Sequence, residues 1–261
     1  MSSLLTSLDT RGVATISLNR PAVHNAFDDV VIAELNSAIA GYARHPEVRL
    51  LVLQAEGKSF SAGADLGWMK RMASYSREDN LADARELERL MRGLYDFPKP
   101  TIAVVQGAAY GGAVGLVSCC DLALASENAS FALSEAKLGL APAVISPFVI
   151  AAIGARQASR YFLTAERFSA ATARELGLVH EVASAEALGE AVERLLATLL
   201  ANGPVALMAC KALLRRVAAA SSPELAAYTT ELIASLRTSQ EGQEGLGAFF
   251  DKRQPAWQQK K

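Results

Sequence analysis

Two loops of small residues and one glutamate are the parts of this chain best suited to chemistry. The loops are Ser61-Ala62-Gly63-Ala64-Asp65-Leu66 and Ala109-Tyr110-Gly111-Gly112-Ala113. Each leaves an apolar run that reads as a buried strand and enters a helix. Small side chains let a ligand carbonyl approach the main chain, and the helix opening after Gly112 adds positive potential. Together the loops can form an oxyanion hole. Glu135 follows an expected strand, Ser130–Leu133. In an apolar pocket its carboxyl would have a raised pKa and could both take and deliver a proton. As a solvated residue opening a short helix at Ser134-Glu135 it would be only a cap.

Other chemistries find no support. Gly107–Gly112 does not follow the dinucleotide G-x-G-x-x-G spacing, and Gly57-Lys58-Ser59 lacks the P-loop glycine, because position 52 is Val52. His24, His45 and His180 stand far apart, without metal-ligand spacing. The cysteines, Cys119, Cys120 and Cys210, fit a reducing compartment better than a disulfide framework, so the cytoplasm is the expected location. A net charge of −1 gives no basic field for nucleic acid or anionic lipid. The N-terminus has no basic start followed by a long apolar run, and charges interrupt the alanine-rich stretches, so neither export nor a membrane span is expected.

The positioning elements follow from periodicity. Residues 3–8 and 13–18 read as a hairpin, and Val30, Val31, Leu35, Ile39 and Tyr42 recur at helical spacing behind the capping Asp28. Val48–Gln54 and Thr101–Gln106 are near-continuous apolar runs, as in strands buried on both faces, and Asp121–Ala125 and Leu178–Val182 are further strand candidates. A charged helix is expected over 79–96, chiefly a solvated face, and the chain beyond Ser146 is mostly helical. Strands alternating with helices imply an α/β fold with a mainly parallel sheet. Residues 1–201 would form the α/β core and 202–261 a helical region, broken at Pro204 and Ser221-Ser222-Pro223, that caps it or packs on a neighbouring subunit.

An ordered set of motifs resembles the enoyl-CoA hydratase/isomerase (crotonase) family. It comprises Asn19-Arg20-Pro21, His24-Asn25-Ala26, Phe60-Ser61-Ala62-Gly63-Ala64-Asp65, Gly111-Gly112, Cys120-Asp121, Phe131 with Ser134-Glu135 and Gly139, Thr164 with Phe168-Ser169-Ala170, and the closing Phe249-Phe250-Asp251-Lys252-Arg253. The resemblance covers nearly the whole chain. It implies a spiral of ββα turns with a helical C-terminal region, assembled as a trimer or dimer of trimers, acting on an acyl-CoA thioester with no cofactor and no metal.

By that resemblance the N–H groups of Ala64 and Gly112 receive the thioester oxygen and Glu135 is the general acid/base. Arg20, Val23, Ala62, Asp65 and Leu66 would lie along the CoA, Gly111 would also bind the substrate, and Phe249 and Lys252 would reach the CoA from a neighbouring subunit. Each of these binding residues also reads as a surface or packing group.

Two departures bear on the reaction. Many hydratases of the family carry a second glutamate where this chain has Gly115, which leaves two readings. Either Glu135, with another polar group or the substrate's own carboxylate, activates water, or the enzyme shifts a double bond without water. The segment Gly139–Pro147 also lacks the glycine-rich form usual in the family. Its Val144, Ile145 and Phe148 would suit a branched chain, as in the similar hydratases of 3-methylglutaconyl-CoA and isohexenylglutaconyl-CoA, or would simply be core. Trp68 and Met72, one turn apart, wall the acyl pocket or pack in the core, and Cys119-Cys120 read as core residues. Hydration of a 2-enoyl-CoA is the leading expectation, double-bond isomerisation the second, and a non-catalytic acyl-CoA- or RNA-binding protein the third.

Overall fold

The computed structural model describes residues 2–219 and 223–259. The chain divides into two units. The first runs to Val192, apart from Pro98–Pro100; the second comprises Pro98–Pro100 and the chain from Glu193.

The first unit opens with the antiparallel pair β1 (Leu4–Leu8) and β2 (Val13–Leu18). Helix α1 (Asp29–Arg44) follows, its first turn capped by Asp28, which accepts from the Val31 N–H. Ile32 lies on its buried face and Val30 is exposed, so the apolar stripe is rotated from the expected one. Three turns of a spiral come next. The first is β3 (Leu50–Ala55), β4 (Ser59–Ser61), α2 (Leu66–Met72) and α3 (Arg77–Tyr95); the second is β5 (Thr101–Val105), β6 (Ala108–Tyr110) and α4 (Gly112–Cys119). The third is β7 (Leu122–Ser126), β8 (Ser130–Ala132), a 3-10 turn at Glu135–Leu138, and α5 (Ser146–Thr164), which breaks at Gly154, where φ is +76°. The strand β9 (Arg167–Ser169), α6 (Ala170–Leu176) and β10 (Glu181–Ala183) complete the unit, and α7 (Leu188–Leu200) crosses its boundary.

In each spiral turn the longer strand enters one sheet and the shorter strand another. The first sheet has the order β1-β2-β3-β5-β7-β10, parallel from β2 onward. Its apolar strands are covered on both faces, as parallel sheets require. The second sheet, β4-β6-β8-β9, is parallel except for the antiparallel β8–β9 pair. Phe27, Phe60 and Phe131 are fully buried in the core, each worth about 2–3 kcal/mol on transfer from water. The fold is the expected α/β spiral, but sequence reasoning left β4, β6 and β9 as loop or helix, and β10 begins three residues beyond the start of the expected run.

The second unit contains α8 (Pro204–Ala219), α9 (Pro223–Thr238) and α10 (Gln240–Phe250). Glu241 caps α8 by accepting from the N–H groups of Val205 and Ala206. The break expected at Ser221-Ser222 lies outside the described residues.

Candidate active site

The short second sheet assembles the site. β4 pairs with β6 at Ser61↔Ala109, and β6 with β8 at Tyr110↔Ala132. Three chain segments therefore leave one end of this sheet side by side: the 62–65 loop, the Gly111–Gly112 turn, and the 3-10 turn that starts at Glu135. The Gly111 N–H donates to the Ala132 carbonyl at 2.8 Å. Gly111 has φ of +55°, and a Cβ there would stand 3.3 Å from Glu135 Oε1. A Cβ on Gly63, at φ +91°, would meet the Tyr110 carbonyl oxygen at 2.8 Å. Glycine is required at both places by conformation and by close approach.

Phe27 ties the two loops together. Its N–H donates to the Gly63 carbonyl and its carbonyl accepts from the Asp65 N–H, a parallel bridge that leaves the intervening Ala64 N–H without a partner among the described residues. The Phe27 ring lies against Gly112, where an added Cβ would be 2.7 Å from Cζ. Gly112 is the first residue of α4, so its N–H has no intrahelical acceptor, and no other bond to it occurs among the described residues. Two unsatisfied donors, one of them at a helix N-terminus, can stabilise an oxygen on which negative charge develops.

Ala64, Gly112 and Glu135 line one cavity of about 300 Å³. Phe27, Trp68, Met72, Leu87, Val144 and Ile145 make most of its wall apolar; Ala84 and Ala141–Ala143 fill in, and Asn80 and Asp83 add polar groups. Among the described residues, no lysine or arginine lines it. Burial pushes the Glu135 carboxyl above the ordinary carboxylate range, against the opposing pull of a backbone N–H. Its Oε2 is buried without a hydrogen-bond partner among the described residues. Glu135 begins the short 3-10 turn that the cap reading anticipated, behind Ser134, whose side chain does not cap it.

Gly115 lies one helical turn beyond Gly112. A Cβ there would overlap Cγ2 of Ile145, with Ile145 Cβ at 2.8 Å and Met91 Sδ at 3.2 Å. Ile145, 2% exposed, fills the space that a side chain at 115 would need.

The other anticipated residues fall into groups. Val144, Ile145, Trp68 and Met72 line the cavity, whereas Phe148 is buried against the Tyr95 ring at 5.2 Å. Cys119 is buried and Cys120 half-buried. Asp65 Oδ1 caps α2 by accepting from the N–H groups of Gly67 and Trp68, and Oδ2 accepts from Arg20 at 3.2 Å. Burial pushes the Asp65 carboxyl up, but those N–H groups and the Arg20 charge outweigh it and hold the pKa below the ordinary range. Arg20 also reaches Asp28 at 3.2 Å and the Ala26 carbonyl at 2.8 Å. Val23, Ala62 and Leu66 are exposed along this loop. Phe249 and Lys252 belong to the second unit, Phe249 77% exposed. Among the described residues, no group of three or more His, Cys, Asp or Glu could hold a metal ion, and no single helix is long and apolar enough to cross a membrane.

Sequence reasoning missed Phe27, Asn80 and Asp83. The signal for the last two was present: Asn80, Asp83, Ala84 and Leu87 recur at i, i+3, i+4 and i+7, one stripe of α3 that faces the cavity. The charged helix is thus more than a solvated face.

An α/β spiral that places a half-buried glutamate on one cavity with two backbone donors that have no partner among the described residues defines a class of thioester enzymes, and comparison with known proteins agrees. Residues 9–260 match the family described as enoyl-CoA hydratase/isomerase. The chain is 32% identical to 2,3-dehydroadipyl-CoA hydratase of Escherichia coli (98% of each chain) and 31% identical to trans-2-decenoyl-acyl-carrier-protein isomerase of Streptococcus mutans (94% of each). A crystal structure of an enoyl-CoA hydratase from Shewanella pealeana superposes with a TM-score of 0.94 at 49% identity, over 98% of this chain and 96% of that one. The protein belongs to the enoyl-CoA hydratase/isomerase family and is an enzyme of that family.

Proposed function

We propose that the protein adds water across the 2,3-double bond of an enoyl-CoA thioester. The observation that carries this reading is the convergence on one cavity of the Ala64 and Gly112 N–H groups and Glu135 Oε2, none of which has a partner among the described residues. As water adds at C3, the π electrons move onto the thioester oxygen, where the two N–H groups stabilise them; one such donor is worth about 3–4 kcal/mol. Glu135 takes a proton from the water and delivers it to C2, a task suited to a carboxyl whose pKa is raised. Arg20 and Asp65 act through the loop they brace, while exposed Val23, Ala62 and Leu66 offer apolar surface to the CoA. No metal or further cofactor takes part.

The acyl group is a short or methyl-branched chain, which the apolar cavity wall supports. A glutaconyl-type substrate carries an extra carboxylate, and among the described residues no cation of the cavity lining would meet it. The working assembly is a homotrimer or dimer of trimers, for which exposed Leu214, Phe249 and Phe250 provide apolar surface.

A second reading, double-bond isomerisation, is favoured by one observation: Ile145 closes the space beside Gly115, so no side chain on α4 can hold water there. Mass spectrometry of crotonyl-CoA and 3-methylglutaconyl-CoA after incubation separates the readings. Gain of one water with wild type and not with Glu135→Gln supports hydration, and the preferred thioester fixes the acyl class. No gain in mass, together with a double-bond shift on a 3-enoyl-CoA, would move isomerisation into first place.

A further inference from the structure

Hydration asks the protein to hold the attacking water as well as to move a proton. On α4 that task has no side chain, because Gly115 has none and Ile145 occupies the space. Apart from Glu135 and the Trp68 indole, the polar side chains lining the cavity are Asn80 and Asp83. The Asn80 amide N–H groups are spent on backbone carbonyls, of Tyr75 at 3.3 Å and Ser76 at 3.0 Å. Asp83 is different. Its Oδ2 accepts from the Trp68 indole N–H at 3.1 Å, which fixes the carboxylate at the wall, and Oδ1 has no partner among the described residues. Trp68, 5% exposed, is a rigid anchor for it.

We propose that Asp83, fixed by Trp68, is the water-holding carboxylate of this site and replaces the glutamate absent from α4. The proposal rests on the hydratase reading. One O–H of the water donates to Asp83 Oδ1 while its oxygen bonds to C3; the C2=C3 π pair moves into the thioester enolate. The other proton passes to Glu135 and then to C2, so the product gains one water and both carboxylates return to their starting state. Asp83 orients and does not itself change protonation.

The test compares wild type, Asp83→Ala and the isosteric Asp83→Asn in two assays: hydration of crotonyl-CoA, and exchange of the α-protons of butyryl-CoA with D2O, which uses Glu135 and the two N–H groups but adds no water. Asp83→Ala is expected to slow hydration about 100-fold, the scale of a misplaced reactant, while α-proton exchange stays within about 3-fold. Asp83→Asn, which keeps an acceptor, is expected to fall between; if Asp83→Ala does not fold, the ratio of the two rates in Asp83→Asn decides. Hydration at the wild-type rate overturns the Asp83 assignment and leaves the hydratase reading standing. Equal loss in both assays also overturns it, since that marks a structural support. A wild-type enzyme that exchanges α-protons yet hydrates neither crotonyl-CoA nor 3-methylglutaconyl-CoA refutes the hydratase reading, and the Asp83 assignment with it.

Discussion

The ring of Phe27 rests on Gly112, so that a methyl group at position 112 would lie 2.7 Å from Cζ. The same Phe27 backbone bridges the loop that presents the Ala64 N–H, so one residue sets the spacing of both donors. Gly112→Ala must push the ring or the turn aside. The expected outcome is a loss of about 1–3 kcal/mol of stability from overpacking and a fall in kcat of about 100-fold with KM little changed. Steady-state kinetics and denaturant unfolding check both. Phe27→Leu in the same chain should recover part of the stability and less of the rate.

Restoring a glutamate at position 115 is not expected to make a better hydratase. The single substitution Gly115→Glu collides with Ile145 and Met91 inside a closed wall and should lower the melting temperature by several degrees, as overpacking costing about 1–3 kcal/mol would. Adding Ile145→Ala opens the space the carboxylate needs. The double variant should regain much of the lost stability, which a thermal melt of the three proteins will show.

Much of this architecture was legible in the sequence because it rests on local signals. Asp28 before an apolar helical stripe marks the start of α1, and the apolar runs of β3 and β5 mark buried strands. The second sheet left no such trace. β4 and β6 are three residues each, built from Ser, Phe, Ala and Tyr, and become strands only by pairing with segments 22 to 49 residues distant. Phe27 was hidden for the same reason: its role is a contact with two loops, and a lone phenylalanine before a helix cap has no periodicity to betray it. Gly115 was visible as an absence, but that Ile145 fills the gap is a fact of packing.

Asp65 carries two structural duties, and two substitutions divide them. Asp65→Ala removes the cap of α2 and one anchor of Arg20, and should cost about 1–2 kcal/mol in urea unfolding. Asp65→Asn keeps a cap acceptor, loses the charge, and should cost less. Because the folded carboxyl has a lowered pKa, the folded state binds fewer protons than the unfolded chain as the pH falls toward that value. Its contribution is complete above the ordinary aspartate range and disappears on acidification through the folded pKa, so wild type and Asp65→Asn should converge in stability at low pH.

Glu135 has the opposite sign. Burial raises its folded pKa above that of the unfolded chain, so between the two values the folded protein binds more protons, and stability falls as pH rises through that window. A neutral amide escapes this penalty. Glu135→Gln should therefore melt at nearly the wild-type temperature at pH 4 and above it at pH 8, even as its hydration rate drops by about 100-fold or more. A carboxylate whose charged form the fold stabilised by hydrogen bonds or a cation would show the reverse, with the glutamine variant the less stable at pH 8. Melting curves of the two proteins across this range, taken beside their hydration rates, therefore test whether stability has been given up at position 135 for a proton-transfer group.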